Sequence, residues 1–175
     1  MYSDAISQLP IAEVLEQLKR CMSEGNEVVL QAPPGAGKTT IVPLELLDQP
    51  WLQGRKILVL EPRRMAARAA ASRMAQLLGD AVGETVGYRI RMDTCVSNNT
   101  RIEVITEGIL TQQLQRDPGL EDVGLVIFDE VHRVPSLVFS KSLWKLNSKR
   151  MIGLSATPER KDGLHKIIEE SIGPI

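Results

Sequence analysis

The segment Gln31-Ala32-Pro33-Pro34-Gly35-Ala36-Gly37-Lys38-Thr39-Thr40 follows an apolar run, Val28-Val29-Leu30, and precedes a stretch that reads as a helix from Ile41 to Leu47. Small residues between a strand and a helix let successive backbone N–H groups curl around a polyphosphate. Pro34, Gly35, Ala36, Gly37 and Thr40 would line that cradle, Lys38 would reach the terminal phosphates, and the Thr39 hydroxyl would ligate Mg²⁺. Ala32 occupies the first position of the pattern, where glycine is usual, and is nearly as small. Far downstream, Leu125-Val126-Ile127-Phe128-Asp129-Glu130-Val131-His132 places four apolar residues ahead of two acids. A strand buried on both faces would deliver those acids at its C-terminal end, where open α/β sheets bind ligands. Asp129 would hold Mg²⁺ through its water shell, and Glu130 would orient and deprotonate an attacking water. An Asp-Glu pair also suits a helix N-terminus. Here the strand before it and the Lys38 loop far upstream favour catalysis. The chemistry implied is Mg²⁺-dependent binding and hydrolysis of a nucleoside triphosphate such as ATP.

Two more apolar runs end in polar groups. Ile152-Gly153-Leu154-Ser155-Ala156-Thr157-Pro158 ends in hydroxyls, and Leu58-Val59-Leu60-Glu61-Pro62-Arg63-Arg64 ends in a Pro-fixed turn with two arginines. Taken in order, A-x-x-G-x-G-K-T, P-R-R, T-E-G (Thr106-Glu107-Gly108), D-E-x-H and S-A-T resemble the first RecA-like domain of superfamily 2 helicases. From Leu9 to Asp122 the pattern is most similar to bacterial DEAH-box RNA helicases of the HrpB type. The residues that carry this include Leu60-Glu61-Pro62-Arg63-Arg64, Thr85-Val86-Gly87-Tyr88-Arg89 and Val104-Ile105-Thr106-Glu107-Gly108.

The resemblance implies roles beyond the phosphate loop. His132 would link the γ-phosphate site to Ser155 and Thr157, which would sit near the nucleotide if Ile152–Leu154 fills the slot between the phosphate-loop strand and the acidic strand. Arg63, Arg64, Thr106 and the Gly108 N–H, with Arg89 beside them, would grip the sugar-phosphate backbone of single-stranded RNA or DNA weakly and without reading sequence. Arg73 would stack on the nucleotide base, or stand as an exposed helix arginine. A second RecA-like domain would supply arginine fingers. No Q-x-x-G-R-x-G-R segment is present, and Gly173-Pro174-Ile175 falls about where a linker to that domain would begin. Residues 1–175 are therefore expected to form one ATP-binding domain, slow in hydrolysis and unable to unwind a duplex alone.

The C-terminal part departs from the DEAH pattern. Val131 stands where Ala or Phe is expected, the distance from His132 to Ser155 is short, and Gly153-Leu154-Ser155-Ala156-Thr157-Pro158-Glu159-Arg160-Lys161-Asp162-Gly163 resembles DNA-translocating helicases of large viruses and of excision repair. Residues 9–122 and 125–175 thus read as two patterns in one chain, either a chimera made by engineering or recombination or an unusual natural branch. Two functional readings follow. One is a helicase motor domain with weak NTPase activity. The other is an engineered or excised nucleotide-binding module with negligible turnover.

The formal net charge of −1 excludes a strongly basic nucleic-acid binder. Between Arg63 and Arg101, however, Arg63, Arg64, Arg68, Arg73, Arg89, Arg91 and Arg101 outnumber Asp80, Glu84 and Asp93, which fits a basic patch or a solvated helix face equally well. Two each of Trp, Tyr and Phe, unclustered, argue against base-stacking recognition. Cys21 and Cys95 lack the neighbours of a zinc site. With no signal-like or membrane-length apolar run, a cytoplasmic protein is expected.

The elements that must position these groups follow from periodicity and punctuation. Helices are predicted at Ser7–Met22, Ile41–Leu47, Met65–Leu78, Gly108–Gln115, Leu137–Leu146 and Asp162–Ser171. Strands are predicted at Glu27–Leu30, Lys56–Leu60, Glu84–Arg91, Thr100–Thr106, Leu125–Phe128 and Met151–Leu154, with Ser97-Asn98-Asn99 as a polar turn between the third and fourth. Their alternation implies a mostly parallel sheet covered by helices on both sides, and the family resemblance implies that this α/β fold is of the P-loop NTPase (RecA-like) type, a three-layer αβα sandwich.

Overall fold

Four strands of the chain are apolar at nearly every position, which is the composition of strands covered on both sides. A computed structural model, which describes residues 11–130 and 149–155, assembles them into the centre of a seven-stranded sheet. In chain order the elements are α1 (Ala12–Glu24), β1 (Glu27–Gln31), α2 (Lys38–Leu46), a 3₁₀ turn (Pro50–Leu52), β2 (Lys56–Leu60), α3 (Arg64–Leu78), β3 (Val86–Ile90), β4 (Asp93–Cys95), β5 (Ile102–Ile105), α4 (Glu107–Arg116), β6 (Val123–Phe128) and β7 (Arg150–Ser155). The strand order is β1-β7-β6-β2-β5-β3-β4, parallel throughout except for the β3–β4 hairpin at one edge. Residues 131–148 and 156–175, which carry His132, Trp144, Thr157 and the last two predicted helices, lie outside the described residues.

Alternate residues of the central strands face opposite layers, as the two-residue period of a strand requires. Ile57 and Val59 of β2, Leu125 and Ile127 of β6, and Ile152 and Leu154 of β7 pack in one core with α1, α2 and α3. Leu58, Leu60, Val126, Phe128 and Met151 face the other way, where Leu110 and Leu114 of α4 cover them. The flanking helices therefore lie on both faces of the sheet. On the apolar stripe of α1, Ile11, Leu15, Leu18 and Met22 are all buried. Its C-terminal carbonyls are closed by a side chain from a distant strand: Arg150 of β7 donates to Met22 and Gly25, and its guanidinium lies 4.8 Å from the centre of the Trp51 ring. Trp51 thereby serves as a packing residue.

Two local predictions differ from the structure. The helix after the phosphate loop begins at Lys38, not Ile41, because Gly37 takes a left-handed conformation (φ 88°) that turns the chain directly into the helix. The strands on either side of Ser97-Asn98-Asn99 do not face each other across that turn. β3 pairs in parallel with β5, while a short extra strand, β4, returns antiparallel along β3.

Gly87 makes this return possible. A Cβ there would meet the Cys95 carbonyl oxygen and would sit 2.9 Å from Val96 Cγ1. Gly87→Ala is expected to cost about 1–3 kcal/mol, the usual range for overpacking, with backbone on one side unable to yield. Chemical denaturation would check this, and an unchanged midpoint would mean that the hairpin lies further from β3.

Candidate nucleotide and nucleic-acid site

Parallel pairing puts the C-terminal ends of β1, β7, β6 and β2 side by side along one edge of the sheet. Each ends in a group with chemical capacity: the glycine loop after Gln31, Ser155, Asp129, and Glu61. The crevice beyond such ends is where ligands bind in open α/β sheets.

The loop is built for an anion. Gly35 (φ 76°) and Gly37 (φ 88°) both adopt left-handed backbone, which a side chain would strain. The N-terminus of α2 has no side-chain cap and no acid in its first turn, so its first N–H groups face outward without a competing carboxylate. The Ala32 N–H donates to Ser155 O at 3.1 Å, tying the loop to β7. Lys38 is buried (9% exposed) and donates to the Ala32 and Pro33 carbonyls, the latter at 2.9 Å. Burial lowers its pKa, with the nearby Asp129 charge acting in opposition. Phosphate oxygens entering the loop would offer this cation stronger partners than two carbonyls.

The acid pair is held by its own strand. The Asp129 N–H donates to Leu60 O at 2.9 Å, continuing the β2–β6 ladder by one residue. Asp129 Oδ2 accepts from the Thr39 hydroxyl at 2.8 Å and Oδ1 accepts the Glu130 N–H at 2.9 Å. Glu130 has left-handed backbone (φ 48°), a conformation that costs a non-glycine residue energy and concentrates at functional sites. Pro34, Gly35, Lys38, Thr39, Asp129, Glu130, Leu154 and Ser155 surround one cavity of about 270 Å³. The oxygen donors Thr39 and Asp129 meet directly, a pairing that suits a hard cation such as Mg²⁺ bound partly through water.

Residues 12–163 match the DEAD/DEAH box helicase family. The chain belongs to that family. This helicase domain is 54% identical over 127 residues to the ATP-dependent RNA helicase HrpB of Escherichia coli, a match that spans 73% of this chain and 16% of that protein. It is 33% identical over 164 residues to the ATP-dependent RNA helicase HrpA of Borreliella burgdorferi, spanning 94% of this chain and 19% of the relative. The crystal structure of the E. coli DEAH/RHA helicase HrpB superposes with a TM-score of 0.82 at 45% identity, over 94% of this chain and 22% of that one. The chain thus spans about a fifth or less of the length of these helicases. The seven-stranded, mostly parallel sheet with helices on both faces is the RecA-like fold expected of the helicase family.

Two residues of this region were not singled out from sequence: Glu61, which lies behind the cavity against Arg63, and Leu154, which lines it. Glu61 is 2% exposed and accepts the Arg63 N–H at 3.1 Å. Burial, then a hydrogen bond with Asp129 and repulsion from its charge, pushes its carboxyl up to about 7 against the opposing pull of Arg63. The signal was present, since Glu61 follows the apolar run Ile57–Leu60 just as Asp129 follows Leu125–Phe128. A carboxyl with a raised native pKa contributes stability that is complete below the ordinary carboxylate range and lost as pH rises through about 7. Without divalent cations, the thermal midpoint of the helicase domain is expected to fall as pH rises from about 4.5 to about 7 and to level off above that, and Glu61→Gln should flatten the fall. Equal slopes in the two proteins would assign the titration to another group. Leu154, also missed, forms an apolar wall of the cavity.

The predicted nucleic-acid residues do not form one cluster. The Arg63 side chain turns to the phosphate cavity, where Nη2 donates to Glu130 Oε1 at 3.0 Å. Arg64 instead donates to Arg91 O at 3.1 Å, bracing the turn between β3 and β4. Arg89 pairs with the buried Glu103 at 2.8 Å beside Lys56, in a cavity of about 200 Å³ with Arg116 and Asp117. Thr106 and Gly108 line a separate cavity of about 330 Å³ with Arg91, Met92, Ile109 and Gln112. Arg91, not Arg89, is the arginine brought to the Thr-Glu-Gly segment, and Met92 beside it is almost fully exposed.

The remaining arginines do not make a continuous basic patch. Arg68 pairs with Asp93 and packs over Tyr88, and Arg101 bonds to Leu47 O. Arg73 is exposed on α3 and bonds to Gln76. Among the described residues no group of three or more His, Cys, Asp or Glu forms a metal cluster, and no helix is long and apolar enough to cross a membrane.

Proposed function

We propose that this chain is the ATP-binding, ATP-hydrolysing motor domain of a DEAH-type helicase that tracks along the backbone of single-stranded RNA. The observation that carries it is the convergence of Lys38, Thr39, Asp129 and Glu130, from a loop, a helix and a strand terminus, on one cavity. In this reading the loop N–H groups and Lys38 bind the β- and γ-phosphates, and Thr39 and Asp129 hold Mg²⁺, which would polarise the γ-phosphoryl group. Glu130 orients a water and accepts its proton. The water oxygen bonds to the γ-phosphorus, the bond to the β-phosphate oxygen breaks, and ADP and phosphate leave. Ser155, held against the loop backbone, is placed to relay the state of the phosphates to β7, with His132 and Thr157 assigned to that relay by their motifs.

Two features support a nucleic-acid track. The N-terminus of α3 has no side-chain cap and no acid in its first turn, with Arg63 and Arg64 at its mouth. Beside it, Arg91, Thr106 and Gly108 open onto a second cavity. Such contacts are few and go to phosphates, so binding should be weak, indifferent to sequence and steeply salt-dependent. Anisotropy of labelled poly-U at low and moderate salt is expected to show a shallower salt slope for Arg63→Ala. Tight binding that survives salt would contradict a backbone track. The functional assay is steady-state ATP hydrolysis with and without poly-U or single-stranded DNA. Hydrolysis stimulated by poly-U supports the motor reading. Nucleotide binding without turnover supports the alternative of a binding module.

A second reading concerns origin. Identity to HrpB falls from 54% over 73% of the chain to 45% when 94% is superposed. The residues added to the comparison are thus less like HrpB than the rest, which fits the reading that two patterns meet in this chain.

A further inference from the structure

The acid assigned to take the proton is already engaged. Arg63 Nη2 donates to Glu130 Oε1 at 3.0 Å, while Arg63 Nε lies 3.6 Å from Glu61 Oε1, the same oxygen that accepts the Arg63 N–H at 3.1 Å. Glu61 is a buried seat, and the arginine reaches from it to Glu130. The Arg63 side chain is nevertheless 61% exposed, so a ligand can approach it from solvent. It also stands at the uncapped N-terminus of α3, the place best suited to a backbone phosphate. Phosphate engages a guanidinium through two parallel hydrogen bonds, and donors committed to it are lost to a carboxylate.

We propose that Arg63 is a positioning residue through which strand binding controls hydrolysis. Seated on Glu61, it holds Glu130 in an ion pair when no strand is bound. A backbone phosphate at the Pro62-Arg63-Arg64 turn draws the guanidinium away, and Glu130, released from this ion pair, orients and deprotonates the attacking water. The inference rests on the proposed function and adds how the nucleic-acid partner regulates the same site. The left-handed backbone of Glu130 agrees with it, since a strained residue is readily moved between two arrangements when one of its contacts is withdrawn.

The decisive measurement needs no turnover. Anisotropy of a short labelled oligo-U strand at low salt would be compared for the wild type, Glu130→Gln, Arg63→Ala and the double variant. Releasing Arg63 from its carboxylate competitor should tighten strand binding about twofold to fivefold, the size of a surface ion pair, and this gain should vanish in the Arg63→Ala background. A general charge effect would tighten both backgrounds equally and would overturn the proposal, as would no effect in either. Absence of any binding by the wild type would remove the nucleic-acid half of the proposed function and this inference with it.

Hydrolysis supplies the second readout. Arg63→Ala should raise the strand-free kcat severalfold with KM for ATP unchanged, and should lose most of the stimulation by poly-U. A strand-free rate that falls while stimulation persists would overturn the proposal. Turnover surviving in Lys38→Ala would strike the nucleotide reading instead, with the affinity comparison still deciding the Arg63–Glu130 pair.

Discussion

Replacing Lys38 by alanine is expected to weaken Mg-ATP or Mg-ADP binding at least tenfold, about 1.4 kcal/mol. Lys38 is the lysine that lines the phosphate cavity, and its ammonium is buried among loop carbonyls, where attraction to an anion is poorly screened. Alanine would remove that attraction and also leave the Ala32 and Pro33 carbonyls without their donor. The loop itself could therefore loosen, and calorimetry of nucleotide binding should be paired with thermal unfolding of the free protein. A modest fall in stability with a large loss of affinity supports the assignment. Unchanged affinity would sink it, because no other lysine among the described residues borders this cavity.

Glu130→Gln is expected to reduce kcat by about a hundredfold or more, the usual worth of a positioned general base, while leaving Mg-ATP affinity within about twofold. The amide keeps the size of the carboxylate, but it carries no charge to hold Arg63 and cannot take a proton from water. The loss should therefore fall on the chemical step rather than on binding. Single-turnover hydrolysis alongside calorimetry separates the two. Equal turnover in both proteins would place the base elsewhere or mark the measured hydrolysis as a contaminant. Loss of binding together with turnover would mean that Glu130 braces the cavity through Arg63 more than it serves the reaction.

These two residues were legible in the sequence because their signals are local. A glycine loop between an apolar run and a helix, and acids at the end of an apolar strand, each state their chemistry within about ten residues. The same locality made most helices and strands readable: Arg64–Leu78 ends at a left-handed Gly79, and Lys56–Leu60 needs no partner to declare itself buried. The slot of Ile152–Leu154 between β1 and β6 came from family resemblance, and the sheet order agrees with it.

Sequence by itself thus determined the fold class, the phosphate loop, and the identities of Lys38, Thr39, Asp129 and Glu130 as candidates for one site. Tertiary structure alone decided what stands beside them. Glu61 became a partner of Asp129 because β2 and β6 are adjacent and parallel, so two acids far apart in the chain emerge at the same edge. Arg63 and Arg64, neighbours in sequence, point to different partners, one to the acid pair and one to the β3–β4 turn. Arg91 displaced Arg89 beside Thr106 because an unforeseen antiparallel strand folds the chain back after Ile90. The physical reason is range. Backbone propensity and side-chain periodicity act over one turn or one strand, whereas ion pairs and cavities form between whichever side chains the strand order brings within a few ångströms.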